Sequence, residues 1–142
     1  MIIRLHGLAL LPASARRPRA ITEACRLTLR GERAGKAGEL NIIFVQRARM
    51  LALNRDFLKH DHDTDVIAFR YEKAAGKQSP FGDVYVSAYQ ARIQADRLGH
   101  AVLKEVLTLV IHGTLHLLGY DDRTPGKKKE MFRAQDRLLA RL

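Results

Sequence analysis

The sequence predicts an α+β fold: a single domain in which helices pack on one small mixed sheet of four strands. Two observations predict this class. Segments with strand character fall in the first two thirds of the chain, whereas the last third is helical in character. The segment at about 101–118 is apolar almost all round, which predicts a helix buried at the centre of the helical layer. The 142 residues contain no internal repeat and no linker, so one domain over 1–142 is expected.

Each predicted element follows from its local pattern. Short apolar runs bounded by turn residues predict four strands, at 2–10, 40–45, 66–71 and 81–87. Good helix formers and apolar stripes predict five helices, at about 20–33, 46–58, 88–98, 101–118 and 125–142. Pro125 suits the first turn of the last helix, and Thr124 suits its cap.

Composition narrows the class of protein. Cys25 is the only cysteine in the sequence, so neither an intramolecular disulfide nor a cysteine zinc knuckle can form, and a reducing, cytoplasmic setting is expected. Arg4 and His6 interrupt the apolar start of the chain, which is atypical of a signal peptide. No stretch reaches the roughly 18 uncharged apolar residues of a membrane span. No membrane partner is therefore expected.

Positive charge is concentrated at the two ends of the chain, whose formal net charge is +10. Residues 1–36 hold eight Lys or Arg against two acids, residues 123–142 hold seven against two, and the stretch between them holds ten against eleven. Basic flanks suit a polyanion such as nucleic acid, although a run like Lys127–Lys129 is also typical of a solvated surface. Aromatic residues make up 6% of the chain and Trp is absent, so no platform for stacked bases is evident.

The most informative segment runs from His112 to Asp122. His112 and His116 are four residues apart, so on a helix they lie one above the other. Gly119 suits the left-handed turn that ends a helix, and a chain reversal there could bring Asp122 against the two imidazoles. Two His nitrogens and one Asp oxygen leave the fourth position of a zinc ion open to water, which is the layout of a catalytic zinc site.

Two other interpretations of this segment stand beside the metal site. A buried histidine is often a hydrogen-bonded core residue, but each of two histidines on an apolar helix needs its own polar partner. A zinc peptidase places a glutamate directly after the first histidine as general base, and that position is Gly113 here. Peptidase activity is therefore disfavoured, although another carboxylate, such as Asp83 or Asp121, could serve.

Residues 112–121 closely match the motif His-Gly-x-Leu-His-Leu-x-Gly-Tyr-Asp-His, which is the hallmark of a known family. Two further blocks agree with it in order and spacing: Leu53-Asn54 running on to residues 64–69, and residues 81–87. The chain therefore resembles the YbeY family of endoribonucleases and rRNA maturation factors over most of its length.

The resemblance implies an α+β fold with a small sheet, one zinc ion held by His112, His116 and Asp122, and hydrolysis of single-stranded RNA. It also implies a role in small-subunit rRNA 3′-end maturation and ribosome quality control, with RNA and the ribosome as partners and no small-molecule cofactor. Two alternatives remain: a non-catalytic RNA- or ribosome-binding assembly factor with a structural zinc, and a zinc hydrolase acting on another substrate such as a peptide.

Two positions depart from the family's pattern. The third ligand position, usually histidine, is Asp122, and a carboxylate oxygen is also a normal zinc ligand. Many members carry an arginine that is thought to contact RNA phosphate where this chain has Leu58. Arg55 and Lys59 are the nearby candidates for that contact. Asp83 is either a partner that orients a metal-binding histidine or a turn residue.

Overall fold

The computed structural model describes residues 1–32, 38–58, 64–71 and 82–142. A mixed sheet contains four strands: β1 (Ile2–His6), β2 (Glu39–Val45), β3 (Val66–Arg70) and β4 (Gly82–Ser87). Their order across the sheet is β1-β2-β4-β3. β2 pairs in parallel with both β1 and β4, and β3 pairs antiparallel with β4. The predicted mixed sheet is confirmed.

The five predicted helices are all present in the described part of the chain: α1 (Pro18–Gly31), α2 (Arg47–Leu58), α3 (Ala88–Leu98), α4 (Val102–Leu117) and α5 (Pro125–Leu139). The predicted cap of the last helix is confirmed, because the Thr124 side chain accepts a hydrogen bond from the Lys127 backbone N–H at 3.2 Å. Most helix ends agree with the prediction to within two residues, and α5 ends three residues early. The predicted start of the last strand, Phe81, lies outside the described residues.

The first strand is shorter than the sequence predicts. β1 ends at His6, Gly7 adopts a left-handed φ of 79°, and Leu8–Leu10 form a 3-10 helix. Leu11 then enters the core, and its carbonyl accepts a 2.8 Å hydrogen bond from Arg16 Nε. The prediction was wrong here because a run of consecutive apolar residues does not separate an extended segment from a tight helical turn.

α4 lies between the sheet and two other helices. Val106 and Val110 pack on the sheet within the main core cluster. The opposite side of α4 packs against α1 and α5 in a second cluster of Ala24, Leu27, Ile111, Leu115, Met131, Ala134 and Leu138. The other face of the sheet is covered by α2, through the cluster of Val45, Met50, Leu53 and Ile67. The buried central helix is confirmed, and His112 and His116 lie half-buried along its remaining side.

Within the described ranges, no single helix is long and apolar enough to cross a membrane. α3 and α4 pass such a test of length and composition only as a pair, and they are bent by 119° at the break between them.

Candidate metal centre

Two histidines meet on the half-buried side of α4. The Nε2 atoms of His112 and His116 are 3.1 Å apart, and the ring centroids are 4.7 Å apart. The spacing of four residues produces this contact, since positions i and i+4 of a helix lie one above the other. Two imidazole nitrogens on one tetrahedral zinc ion at about 2.0–2.1 Å would lie about 3.3 Å apart. The observed distance is close to that value.

The far side of each ring is fixed by an oxygen acceptor. His116 Nδ1 lies 3.0 Å from the Tyr120 backbone carbonyl oxygen, and His112 Nδ1 lies 2.8 Å from Gln135 Oε1. A carbonyl oxygen only accepts, so each Nδ1 carries the hydrogen and each Nε2 presents a lone pair. Two lone pairs 3.1 Å apart repel each other, and a cation between them removes that repulsion. The donor set therefore fits a metal ion.

A glycine turn brings the third group to the pair. The Gly119 and Tyr120 backbone N–H groups donate to the His116 and Leu115 carbonyls, each at 3.1 Å, which is the hydrogen-bond pattern of a Schellman helix end. Gly119 has a φ of 102°, a backbone conformation that residues other than glycine rarely adopt. The reversed chain carries Asp122 back to the histidines, and one ligand atom from each of these three residues lies within 4.8 Å of the others.

The neighbouring carboxylate is engaged elsewhere. Asp121 Oδ1 accepts a 3.1 Å hydrogen bond from the Arg123 backbone N–H, and its Oδ2 lies 3.6 Å from Lys127 Nζ. The Arg123 N–H first, and then Lys127, lower the pKa of Asp121 below its ordinary value. Of the two adjacent acids, the structure brings Asp122 to the cluster and ties Asp121 to the start of α5.

The surroundings of His116 favour its neutral imidazole form. Burial lowers the pKa of His116 below its ordinary 6.5, and the neighbouring His112 lowers it further. The hydrogen bond to the Tyr120 carbonyl and the carboxylates of Asp122 and Asp121 act in the opposite direction and are weaker. A neutral imidazole is the form that binds metal, so the lowered pKa keeps His116 in that form near pH 7.

Gly113 faces the sheet at a distance that admits no side chain. A Cβ there would lie 2.4 Å from Val84 Cγ1 and 2.9 Å from Val66 Cγ2. A glutamate after the first histidine, as in zinc peptidases, therefore has no space in this fold. The close approach of α4 to β3 and β4 explains the glycine and accounts physically for the missing peptidase base.

Two open spaces meet at the cluster. The strand-side cleft, of about 410 Å³, lies between β3 and the turn after α4, and its lining includes Leu58, Val66, His116, Asp122 and Arg123. The helix-side groove, of about 560 Å³, runs between α3, α4 and α5, and its lining includes Leu98, Lys104, Thr108, His112, Asp122, Lys128 and Phe132. Asp122 belongs to both linings, so the cluster is accessible from two sides.

Arg55, one of the two predicted phosphate-binding residues, does not line either of these spaces. Leu58 lines the strand-side cleft, whereas Arg55 is exposed on α2 and pairs with Asp56 at 3.1 Å from Nε to Oδ1. Lys59 lies outside the described residues. Among the described residues, the Lys or Arg that lines the cleft is Arg123, which follows Asp122 directly in the sequence.

The structure does not bring Asp83 to the histidines. Asp83 lies inside β4, and its Oδ2 accepts a hydrogen bond from the Tyr71 hydroxyl. Its neighbours Gly82 and Val84 face α4, so alternation along the strand directs Asp83 to the opposite face of the sheet. That hydrogen bond raises the pKa of Tyr71 to about 12. The residues that contact the far sides of the histidine rings are Gln135 and Tyr120.

Four contributors to the site were not predicted from the sequence. Gln135 contacts His112 from α5, 23 positions along the chain, and no local pattern marks it. The Tyr120 carbonyl contacts His116, and the Tyr120 hydroxyl donates to Glu32 Oε2 at 2.8 Å. Arg123 and Phe132 line the two spaces. The position of Tyr120 within the quoted motif was the one available signal among the four.

Comparison with known proteins identifies the family. Residues 13–142 match the family described as Endoribonuclease YbeY. A protein named Endoribonuclease YbeY from Elusimicrobium minutum is 41% identical over 114 residues, which cover 79% of this chain and 80% of the relative. Another of that name, from Chlorobaculum parvum, is 37% identical over 122 residues, covering 86% of this chain and 84% of the relative.

A solved structure agrees with these sequence matches. The solution structure of TM1509 from Thermotoga maritima superposes with a TM-score of 0.64 at 27% identity, covering 97% of this chain and 87% of that one. Fold and sequence together define the class, which is that of hydrolases acting on RNA. The chain belongs to the Endoribonuclease YbeY family, as its motifs predicted.

Proposed function

We propose that this chain is a zinc-dependent endoribonuclease that cuts single-stranded RNA, with the ion held by His112, His116 and Asp122. It acts in the cytoplasm, in 3′-end maturation of small-subunit rRNA and in ribosome quality control. The observation that carries the proposal is the cluster itself: two imidazole lone pairs and a carboxylate lie together where two open spaces meet, in a chain of an endoribonuclease family.

The residues around the cluster divide the chemical tasks. A bound zinc ion supplies Lewis-acid polarisation of a phosphoryl oxygen and lowers the pKa of water toward about 7. Gln135 and the Tyr120 carbonyl hold the histidines in the tautomer whose Nε2 lone pairs face inward. The exposure of Asp122 lets a phosphate approach from solvent. Three protein ligands with an open approach favour a catalytic ion over a closed structural one.

A cation of the strand-side cleft binds the RNA backbone. Arg123 lines this cleft beside Asp122, and a guanidinium binds a phosphate through two parallel hydrogen bonds. We assign to Arg123 the phosphate contact that the resemblance implies for an arginine at the position of Leu58. Arg55 and Lys59 then act as outer contacts to the backbone, and the basic ends of the chain add affinity that does not depend on sequence.

The test is a cleavage assay on metal-stripped protein with zinc added back. Wild type should cut single-stranded RNA after re-addition of zinc and should leave duplex RNA and single-stranded DNA intact. His112→Ala should stay inactive, and a small-subunit rRNA fragment with an extended 3′ end should be shortened by wild type alone. RNA binding without cleavage at every zinc concentration would instead identify an assembly factor with a structural zinc.

The role of Arg123 is tested in the same assay. Arg123→Ala should raise KM for RNA with zinc content unchanged, and Arg123→Lys should recover part of the loss, because an ammonium keeps the charge but lacks the fork of two donors. Arg133→Ala, also on the basic C-terminal segment, is the matched control. An equal effect of the two alanine variants would assign Arg123 to general electrostatics only.

A further inference from the structure

Phe132 is an exposed aromatic side chain beside the metal cluster. Its relative exposure is 39%, although its neighbour Met131 on α5 is fully buried. The Phe132 ring centroid lies 5.8 Å from that of His112, with the ring planes tilted by 51°. A large apolar surface is thus left in contact with solvent directly next to a proposed zinc ligand.

A cation accompanies this ring. Lys128 is one helical turn before Phe132, and its Nζ lies 6.0 Å from the ring centroid. Proteins that bind single-stranded nucleic acid combine cations with aromatic side chains: the cation contacts the phosphate and the ring stacks on the base.

The helix-side groove supplies the remaining walls. Leu98, which is 65% exposed, lines it from the end of α3, and Lys104 and Thr108 line it from α4. Two of its carboxylates already have partners: Asp65 Oδ2 accepts from Gln94 at 3.0 Å, and Glu105 Oε2 lies 2.8 Å from His100 Nε2. Asp136 is a further acid in the lining. The volume of about 560 Å³ lies within the range of small-ligand sites.

We propose that the helix-side groove is a nucleobase subsite, in which the base next to the cleaved phosphate stacks on Phe132 while Lys128 contacts the following backbone. This inference rests on the proposed endoribonuclease function. Because the ring lies so close to His112, a base stacked on it belongs to a nucleotide adjacent to the phosphate at the cluster. Stacking tolerates any base, so the subsite recognises unpaired RNA by its splayed base and not by its sequence.

The first experiment measures cleavage of single-stranded RNA by Phe132 variants of the zinc-loaded protein. Phe132→Ala should raise KM by about 5- to 150-fold, the range that loss of one stacked base predicts. Phe132→Tyr should stay near wild type, Phe132→Leu should fall between, and zinc content should be unchanged in all three. Leu10→Ala is the matched control, because Leu10 has nearly the same exposure, 38%, and lies beyond β1.

The second experiment removes the base instead of the ring. In a set of RNAs with one abasic site each, one position beside the cleaved bond should weaken binding to wild type and have no further effect on Phe132→Ala. A 2-aminopurine at that position should be quenched on binding to wild type and stay bright with Phe132→Ala. Lys128→Ala should also reduce the salt dependence of binding by about one ion. The neighbouring Lys129→Ala should reduce it less, because Lys128 lines the groove and Lys129 does not.

The outcomes separate this proposal from the proposed activity. Wild type that binds and quenches the RNA through Phe132 but never cuts it supports the subsite and overturns the nuclease. Wild type that cuts RNA equally well with Phe132→Ala, or an abasic penalty that persists in that variant, overturns the subsite and leaves the groove for another occupant such as a protein. Absence of any RNA binding by wild type overturns both proposals.

Discussion

The two histidines and the aspartate of the cluster are held in different ways. His112 and His116 project from a helix that packs on the sheet on one side and on α1 and α5 on the other, and each ring has a second partner behind it. Asp122 lies on the exposed turn between α4 and α5. Its position depends on the helix end at Gly119 and on the anchoring of its neighbour Asp121.

This difference shows which part of the site tolerates change. The helix-borne histidines fit between packed elements and have fixed tautomers, so a replacement there disturbs several contacts at once. Asp122, on the turn, is exposed to solvent, where either a carboxylate or an imidazole has room. The family's usual histidine and the aspartate of this chain can therefore occupy the same position without change to the fold.

The largest effect is expected at the helix-borne half of the cluster, which consists of His112 and His116 on α4. His116→Ala should remove the metal, because two remaining protein ligands hold zinc too weakly. It should also lower stability in zinc, since binding at a hundredfold excess over Kd contributes about 2.7 kcal/mol. Metal analysis and thermal unfolding with and without chelator measure both effects, and His6→Ala on β1 is the control. Unchanged zinc stoichiometry in His116→Ala would falsify the assignment of this ligand.

At the turn-borne half of the cluster, which is Asp122, the effect of a substitution should depend on the kind of side chain introduced. Asp122→Ala should lose metal and activity, whereas Asp122→His should keep both, because the turn presents its side chain to solvent and not to a packed core. An imidazole adds no negative charge, so Asp122→His should have a more acidic zinc-bound water and activity that extends to lower pH.

Asp121→Ala is the control for the choice between the two adjacent acids. It should lose much less metal and activity than Asp122→Ala, because Asp121 contacts Arg123 and Lys127. The two variants are compared by zinc content and by rate of RNA cleavage. Loss of zinc from Asp121→Ala together with its retention in Asp122→Ala would move the third ligand by one residue and contradict the structure at this turn.

The same contrast explains what the sequence could and could not predict. Spacing and one glycine were sufficient for the cluster, because helix periodicity and the turn at Gly119 act within eleven residues. Gln135 reaches the site from α5, and Glu32 reaches it from the residue directly after α1, so only packing brings them there. Two further points were beyond the sequence for a related reason: residue patterns do not reveal that β1 ends at His6, or that the face of the sheet carrying Asp83 is turned away from the central helix.

Gln135 offers a smaller and more specific test of the helix-borne half. Gln135→Leu removes the acceptor from His112 Nδ1 and puts an apolar side chain of similar size in its place. The position is only 5% exposed, so an apolar side chain is suited to it. Loss of such an outer partner typically costs about 10- to 100-fold in metal affinity. Gln135→Glu should restore the affinity, because a carboxylate also accepts. Competition with a chromophoric chelator measures it, and equal affinities of the Leu and Glu variants would show that the hydrogen bond has no role.

The smallest expected effect is the pH dependence of the metal-free protein. Burial lowers the pKa of His116 in the folded state below the 6.5 of the unfolded chain. Between these two pKa values the unfolded chain binds more protons, so stability that is present above about pH 6.5 is lost as the pH falls toward the folded pKa. The pKa of Asp121 is also lowered, but the pH range in which this affects stability lies below 3.8 and does not overlap with that of His116.

Urea unfolding in chelator between about pH 7 and pH 5 should show a falling midpoint in wild type and in Asp121→Asn. His116→Gln should show a smaller fall, and an equal fall in all three would mean that the buried imidazole does not contribute to acid sensitivity.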